Sequence, residues 1–351
     1  MTAAAQLIRH MRESVLCIDE EWVVDYEKGF RWWPHLLKQE IFVSDQRTVA
    51  DGSRLDKVVV STDVCSLKEP GMVTHPGIIE LTNLATMSGL VAHGGKLRLH
   101  AHAWVDGSNL PLYKMVLGTV AGIQISEAAL IARLLQEDGL GEPDTSAHPT
   151  SGLREEPDEI TSVVEALIAP MGDGDPPWPR EMLDDVRETY MDQPPCLMAI
   201  SDPSGLTAEF PFGEESSLLR VNLTQNHPLL GNGMMVSNTF NVENLDDPLL
   251  ENPIGMNGWE VEHGDGPFLG SWQEQDSGSM SFVSFVPNAL KHPAAASNFV
   301  ILAGARARRM AMKWLGDDWS KTWDSEGNCV AKTAIERMMH KLGGNTPPSH
   351  V

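Results

Sequence analysis

The chain has 351 residues, 42% of them apolar, with ten Trp and seventeen Met, and a formal net charge of −23. That much apolar side-chain volume excludes a largely disordered chain, and the length allows two domains or one large one. The acidic excess excludes a generic nucleic-acid or anionic-membrane surface, which needs a concentrated basic face.

Residues 3 to 16 bring Leu7, Ile8, Met11, Val15 and Leu16 near one face and predict a short amphipathic helix. The aromatic stretch Trp22 to Val43 follows, and the first half is organised around it. Trp22, Val24 and Tyr26 alternate, Gly29 turns the chain, Phe30 to Trp33 begins a second strand, and Ile41 to Val43 closes the segment. Pro34 ends that strand or confines it to an edge. Asp51-Gly52 turns into the β-run Leu55 to Val64, so an antiparallel meander is expected. Ile78 to Ala92 reads as a helix stopped by Gly94-Gly95, and Leu97 to Val105 as a strand. From Ser126 the sequence SEAALIARLLQEDG is helical, while MVLGTVAGI upstream fits either a strand or earlier turns of that helix.

Residues 136 to 180, rich in Pro, Gly, Asp and Glu, read as a solvated linker holding a helix from Ile160 to Ile168. The second half then echoes the first. It gives a helix at Glu181 to Met191, strands at Cys196 to Ile200, Leu206 to Phe212 and Ser217 to Thr224, and β-like sequence at Gly231 to Asn241. Trp259 to Val261 and Phe268 to Trp272 repeat the Trp-rich character, followed by a strand at Met280 to Val286 and helices at Asn298 to Leu315 and Val330 to Leu342. The expected fold is α+β, with two related lobes at 1–140 and 181–345 joined by a linker at 141–180, each lobe an antiparallel sheet covered by helices.

This element order resembles a tandem of type III secretion chaperone-like or YbjN-like α/β domains. The resemblance implies an internal duplication, a pseudo-dimer in one chain, and protein binding as its role; it carries over no catalytic residue. Segment 231–260 and the C-terminal tail are more than such small domains need.

The four cysteines, Cys17, Cys65, Cys196 and Cys329, form no CxxC pair, so reduced, buried thiols are expected. The N-terminus lacks the apolar core of a signal peptide and no long apolar run occurs, so the expected location is the cytoplasm. His100 and His102, two apart on a strand, put both imidazoles on one side beside Trp104, an arrangement that grips zinc or iron when further ligands join. No HExxH or HxHxDH pattern completes it, and two hydrogen-bonded histidines on a sheet face is the plainer reading. The carboxylate runs at Glu155 to Glu159 and Asp184-Asp185 solvate a surface, GxSxG is absent, and the glycine pairs at 231–233 and 172–174 lack the features of a phosphate loop.

Arg306, Arg309 and Lys313 share one helix face, which either docks an acidic partner or pairs with the chain's own carboxylates. One of Trp32 and Trp33 enters the core; the other needs a cover supplied by a helix, a neighbouring domain or a partner. The resulting expectation is a non-catalytic, chaperone-like or adaptor protein that uses no cofactor. It binds another protein through Trp32, Trp33, Arg306, Arg309 and Lys313. The alternative is a metal-dependent enzyme using His100 and His102.

Overall fold

The structure is a computed structural model that describes residues 1–50, 52–84, 86–168, 178, 181–192, 196–243, 245, 247, 252–275, 279–316, 322–326, 329–333 and 336. Its first sheet is built from β1 (Val23–Tyr26), β2 (Gly29–Trp32), β3 (Gln39–Thr48), β4 (Arg54–Leu67), β5 (Gly89–His93) and β6 (Lys96–Val105), in the order β1-β2-β3-β4-β6-β5. A short β7 (Gly141–Pro143) lies beside the end of β4. The second sheet uses β8 (Met198–Asp202), β9 (Gly205–Phe212), β10 (Glu215–His227), β11 (Gly231–Asn241), β12 (Ser271–Gln275) and β13 (Ser279–Pro287). Its order, β8-β9-β10-β11-β13-β12, repeats the first strand for strand, and every pairing is antiparallel. The α+β fold of two related lobes is therefore as expected.

Each sheet carries helices on one face. In the first lobe α1 (Ala3–His10), capped by Thr2, continues into a π-helical turn, and α3 (Leu110–Glu137) lies across β4 and β6. In the second, α5 (Glu181–Asp192) and α7 (Pro293–Leu315) hold the equivalent places. Between the fourth and fifth strands of each lobe come α2 (Pro76–Glu80) with its flanking 3-10 turns, and α6 (Pro253–His263). Segment 231–260, which looked surplus, is thus β11 plus most of α6, the counterpart of β4 plus α2.

The middle of helix α3, Val116 to Ile125, is apolar on nearly every side because it is covered there. Ala121 and Gln124 meet the sheet, at Gln39 and Val60, while Gly118 and Gly122 let Val15 and Val164 approach so closely that an added Cβ would meet each at 3.1 Å. By length and composition α3 is able to cross a membrane, but 72% of its most apolar window is buried inside the molecule, which makes it the core helix of the first lobe. Beneath it runs a buried polar chain. Trp32 Nε1 donates to Gln39 Oε1 at 2.9 Å, Gln39 Nε2 to Thr62 Oγ1 at 2.9 Å, Thr62 Oγ1 to Gln124 Oε1 at 2.8 Å, and Gln124 Nε2 to Ser88 Oγ at 2.8 Å. Each member is satisfied by the next, so the network tolerates burial and fixes α3 in one register on the sheet.

Several expectations are corrected. Ile78–Ala92 is not one helix: α2 ends at Glu80, and Gly89–His93 is strand β5, claimed by β6 as its hairpin partner. Upstream of Ser126 the chain is helical from Leu110, with no strand. Trp259–Val261 lies inside α6. Residues 141–158 are no free linker, since Ser146 N bonds Leu36 O, Asp158 N bonds Pro34 O, and Arg154 Nη1 bonds Trp33 O. Cys17 is exposed rather than buried. The expected helix Val330–Leu342 falls largely outside the described residues.

Candidate functional site

β6 is twice the length of its hairpin partner β5, and the last hairpin pair is Gly89 with His100. Two residues further on, at His102, the vacant edge is taken by the other lobe: His102 N donates to Phe268 O at 3.0 Å and Phe268 N to His102 O at 2.9 Å. The second lobe does the same in return. Its last hairpin pair is Ser271 with Val283, and two residues on, Phe285 N donates to Thr86 O at 3.1 Å. Phe268 and Thr86 each stand three residues ahead of β12 and β5, so the two contacts occupy equivalent positions in the two lobes. Gly89 permits the close approach, because a Cβ there would meet the Phe268 ring at 2.6 Å.

The segment leading to Phe268 is clasped by side chains from both lobes. Lys57 Nζ donates to Val261 O at 2.7 Å, Arg47 Nη1 to Asp265 O at 2.9 Å, and Arg306 Nη2 to Pro267 O at 2.9 Å. His102 Nε2 lies 3.1 Å from Gly266 O and so must carry the proton. Its Nδ1 is then an acceptor, 3.2 Å from His100 Nε2. Burial holds both imidazoles neutral: it pulls His100 down to about 3, aided by Lys57 and Arg98, and His102 well below its ordinary value, aided by His100 and Lys57.

Arg306, nearly fully buried, meets Glu260 of α6 at 2.8 Å and lies over the Phe282 ring at 3.4 Å. The other Glu260 oxygen accepts from Trp272 Nε1 at 2.7 Å, so the carboxylate is matched on both sides. Arg309 stands 3.9 Å from Glu260, and burial together with Arg306 pushes it down to about 10. Lys313 pairs with Asp247 at 2.6 Å and sits over Trp259 at 4.4 Å.

The residues picked from the sequence thus come together in part, though not as a surface. His100, His102, Arg306 and Arg309 converge on the joint between the lobes. Trp32 is wholly buried, and Trp33 is covered by the 146–154 segment, with Nε1 donating to Ser146 Oγ at 2.9 Å and its ring edge-on to His148. Trp32, Trp33 and Arg306 offer no face to a partner. Both nitrogens of His102 are already engaged, and among the described residues no three of His, Cys, Asp and Glu gather as a metal would need. A cleft of about 820 Å³ between α1 and the β1–β3 meander is charged, but most of its charged groups pair with one another: Arg12 with Glu20 and Asp25, Arg9 with Glu13, and Arg54 with Asp56.

What the sequence reading did not isolate is the face of the second sheet opposite α7. Strand alternation and register place Met198, Ile200, Leu218, Met235 and Val283 there, interleaved with Thr207, Ser237 and Thr239. Ile200 is 49% exposed, Met198, Leu218 and Met235 are half-buried, and the charges are exposed Arg220, exposed Asp202 at the end of β8, and buried Glu209, whose Oε2 accepts from Ser216. The equivalent face of the first sheet is laced with ion pairs, Arg31–Glu40, Lys38–Asp63 and Arg98–Asp63. The alternating strands carried the signal, which became readable only once their partners were known.

No family model, curated protein or solved structure matches this chain.

Two outcomes follow from the joint. Glu260→Ala strands the Arg306 charge and is expected to cost about 3–5 kcal/mol in urea denaturation, whereas a Glu260→Leu/Arg306→Met double variant recovers much of that loss. The imidazoles set a pH dependence. The unfolded chain takes up their protons below about pH 6.5 while the folded chain does not, so their contribution is full above that pH and falls in acid by about 1.4 kcal/mol per pH unit per histidine. A His100→Asn/His102→Asn variant should lose stability less steeply between about pH 6 and pH 4; parallel curves would count against the neutral pair.

Proposed function

We propose that this chain is a non-catalytic, chaperone-like or adaptor protein that binds another protein through the face of its second sheet opposite α7. The observation that carries the reading is the make-up of that face. In a chain with 26 basic and 49 acidic residues, it sets Met198, Ile200, Leu218 and Met235 among hydroxyls, with two exposed charges, Arg220 and, at the end of β8, Asp202. Contiguous, half-exposed apolar surface of this kind marks protein-contact sites, where charge is depleted and Met enriched. The ion-paired face of the first lobe gives the contrast: the same topology presents one side to water and one side to a partner. The resemblance to chaperone-like tandems points the same way. The metal-enzyme alternative has less behind it, because the His102 nitrogens already serve Gly266 and His100.

The test uses the tagged full chain and a Leu218→Arg/Met235→Arg variant as baits under identical conditions, after circular dichroism has shown both folded. A protein retained in stoichiometric amount by the wild type and lost by the variant is the expected result. Equal retention by both, or none by either, contradicts the assignment.

A further inference from the structure

Away from both the lobe joint and the open face, a cavity of about 170 Å³ opens between the second half of α3, the 34–37 loop and α4 (Glu159–Ile168). We propose that it binds a small apolar monocarboxylate, a molecule with a ring-sized hydrocarbon body and one carboxylate head.

The size sets the body. A dry cavity of about 150 Å³ lined by aliphatic side chains is enough to hold benzene, so 170 Å³ admits a six-membered ring with a methylene or two. The wall suits such a group: Leu36, Leu37, Ile125 and Ala132 supply hydrocarbon, and Pro34 and Pro143 stiffen the two loops that flank it. Because the loops are tied to each other by Ser146 N to Leu36 O at 3.0 Å, the cavity is preformed and closing it on a ligand costs little ordering.

The charge of the lining sets the head. Fourteen residues line the cavity and none is Asp or Glu, although the chain carries 49 of them; the charged group is Arg133, with His35 nearby on the opposite wall. Arg133 is exposed at the mouth, and its ion partner, Glu137, is equally exposed and 3.9 Å away, too far and too wet to hold the guanidinium. A carboxylate arriving at the mouth can take that fork in a bidentate bond. Ser126 Oγ and Thr161 Oγ1 lie behind the wall, buried and without a hydrogen-bond partner among the described residues, so a small shift of either side chain gives an oxygen-bearing ligand a donor. Among the described residues the second lobe holds no counterpart of α4 over α7, and Ile301 and Met312 stay exposed there.

The probes are phenylacetate and its uncharged match, phenylacetamide, followed on the full chain by saturation-transfer NMR and calorimetry. Phenylacetate is expected to bind at least about tenfold more tightly than phenylacetamide, the worth of one charge-assisted contact. Arg133→Gln should bring the two probes level. Ala129→Phe, at the exposed rim where a bulky side chain blocks the mouth without entering the core, should abolish both, with the thermal unfolding curve unchanged. Failure of phenylacetate to bind the wild type overturns the proposal, as does equal binding of the two probes or binding that survives Ala129→Phe.

Discussion

A β-strand longer than its neighbour leaves a row of unpaired backbone donors and acceptors on an edge, and this chain makes that defect twice, in β6 and again in β13. Each vacant stretch is filled by the residues just ahead of the fifth strand of the other lobe, Phe268 against His102 and Thr86 against Phe285. The exchange means that neither lobe completes its own sheet. Helix α6 is drawn along, with Asn257 Nδ2 donating to Leu90 O at 2.9 Å across the joint and its Oδ1 accepting from Trp272 N at 2.8 Å on its own side. What looks like two domains in sequence is one body with an approximate two-fold relation between its halves.

The joint is polar where it is deepest. Arg306, Glu260, His102 and Lys57 are all withdrawn from water, a choice that stabilises less than well-packed hydrocarbon of the same volume would. Its effect is on specificity: each cation meets a particular carbonyl between Val261 and Pro267, so the segment that presents Phe268 to β6 has one register. The network under α3 acts similarly in the first lobe, where Gln39 and Gln124 select one placement of a helix whose hydrocarbon surface alone would allow others. Glu127, pushed up to about 8 by burial, accepts from Thr86 N at 3.1 Å and so connects α3 to the residue that receives Phe285.

Much of the fold was legible in the sequence. The runs that became β4, β6, β9 and β10 alternate or cluster β-branched and aromatic residues between turn signals, and the echo between the halves followed from their order. The errors have physical causes. The stretch from Ile78 to Ala92 has helical spacing, but β6 needs a hairpin partner, and tertiary pairing overrode the local pattern at Gly89–His93. The stretch from Val116 to Ile125 in α3 carries no amphipathic stripe because nearly every side is buried, so periodicity had nothing to report. For the site, the facing of His100 and His102 was readable from strand alternation. That His102 bonds a carbonyl 164 residues away in sequence was not, since no local signal encodes which distant loop closes an edge. The basic group on α7 was found, and of its two readings the pairing with the chain's own carboxylates is the one seen, Arg306 with Glu260 of another helix and Lys313 with Asp247.

The central claim, that reciprocal edge pairing makes the two lobes one cooperative unit, is tested most directly by native-state hydrogen exchange at the amides of His102, Phe268 and Phe285. If the account is right, these amides open only with the whole molecule. Their free energies of exchange should then match those of Val60 in β4 and Val236 in β11, and all should shift together with denaturant. Rapid exchange at the joint while β4 and β11 stay protected would show that the lobes part without unfolding, and would contradict it.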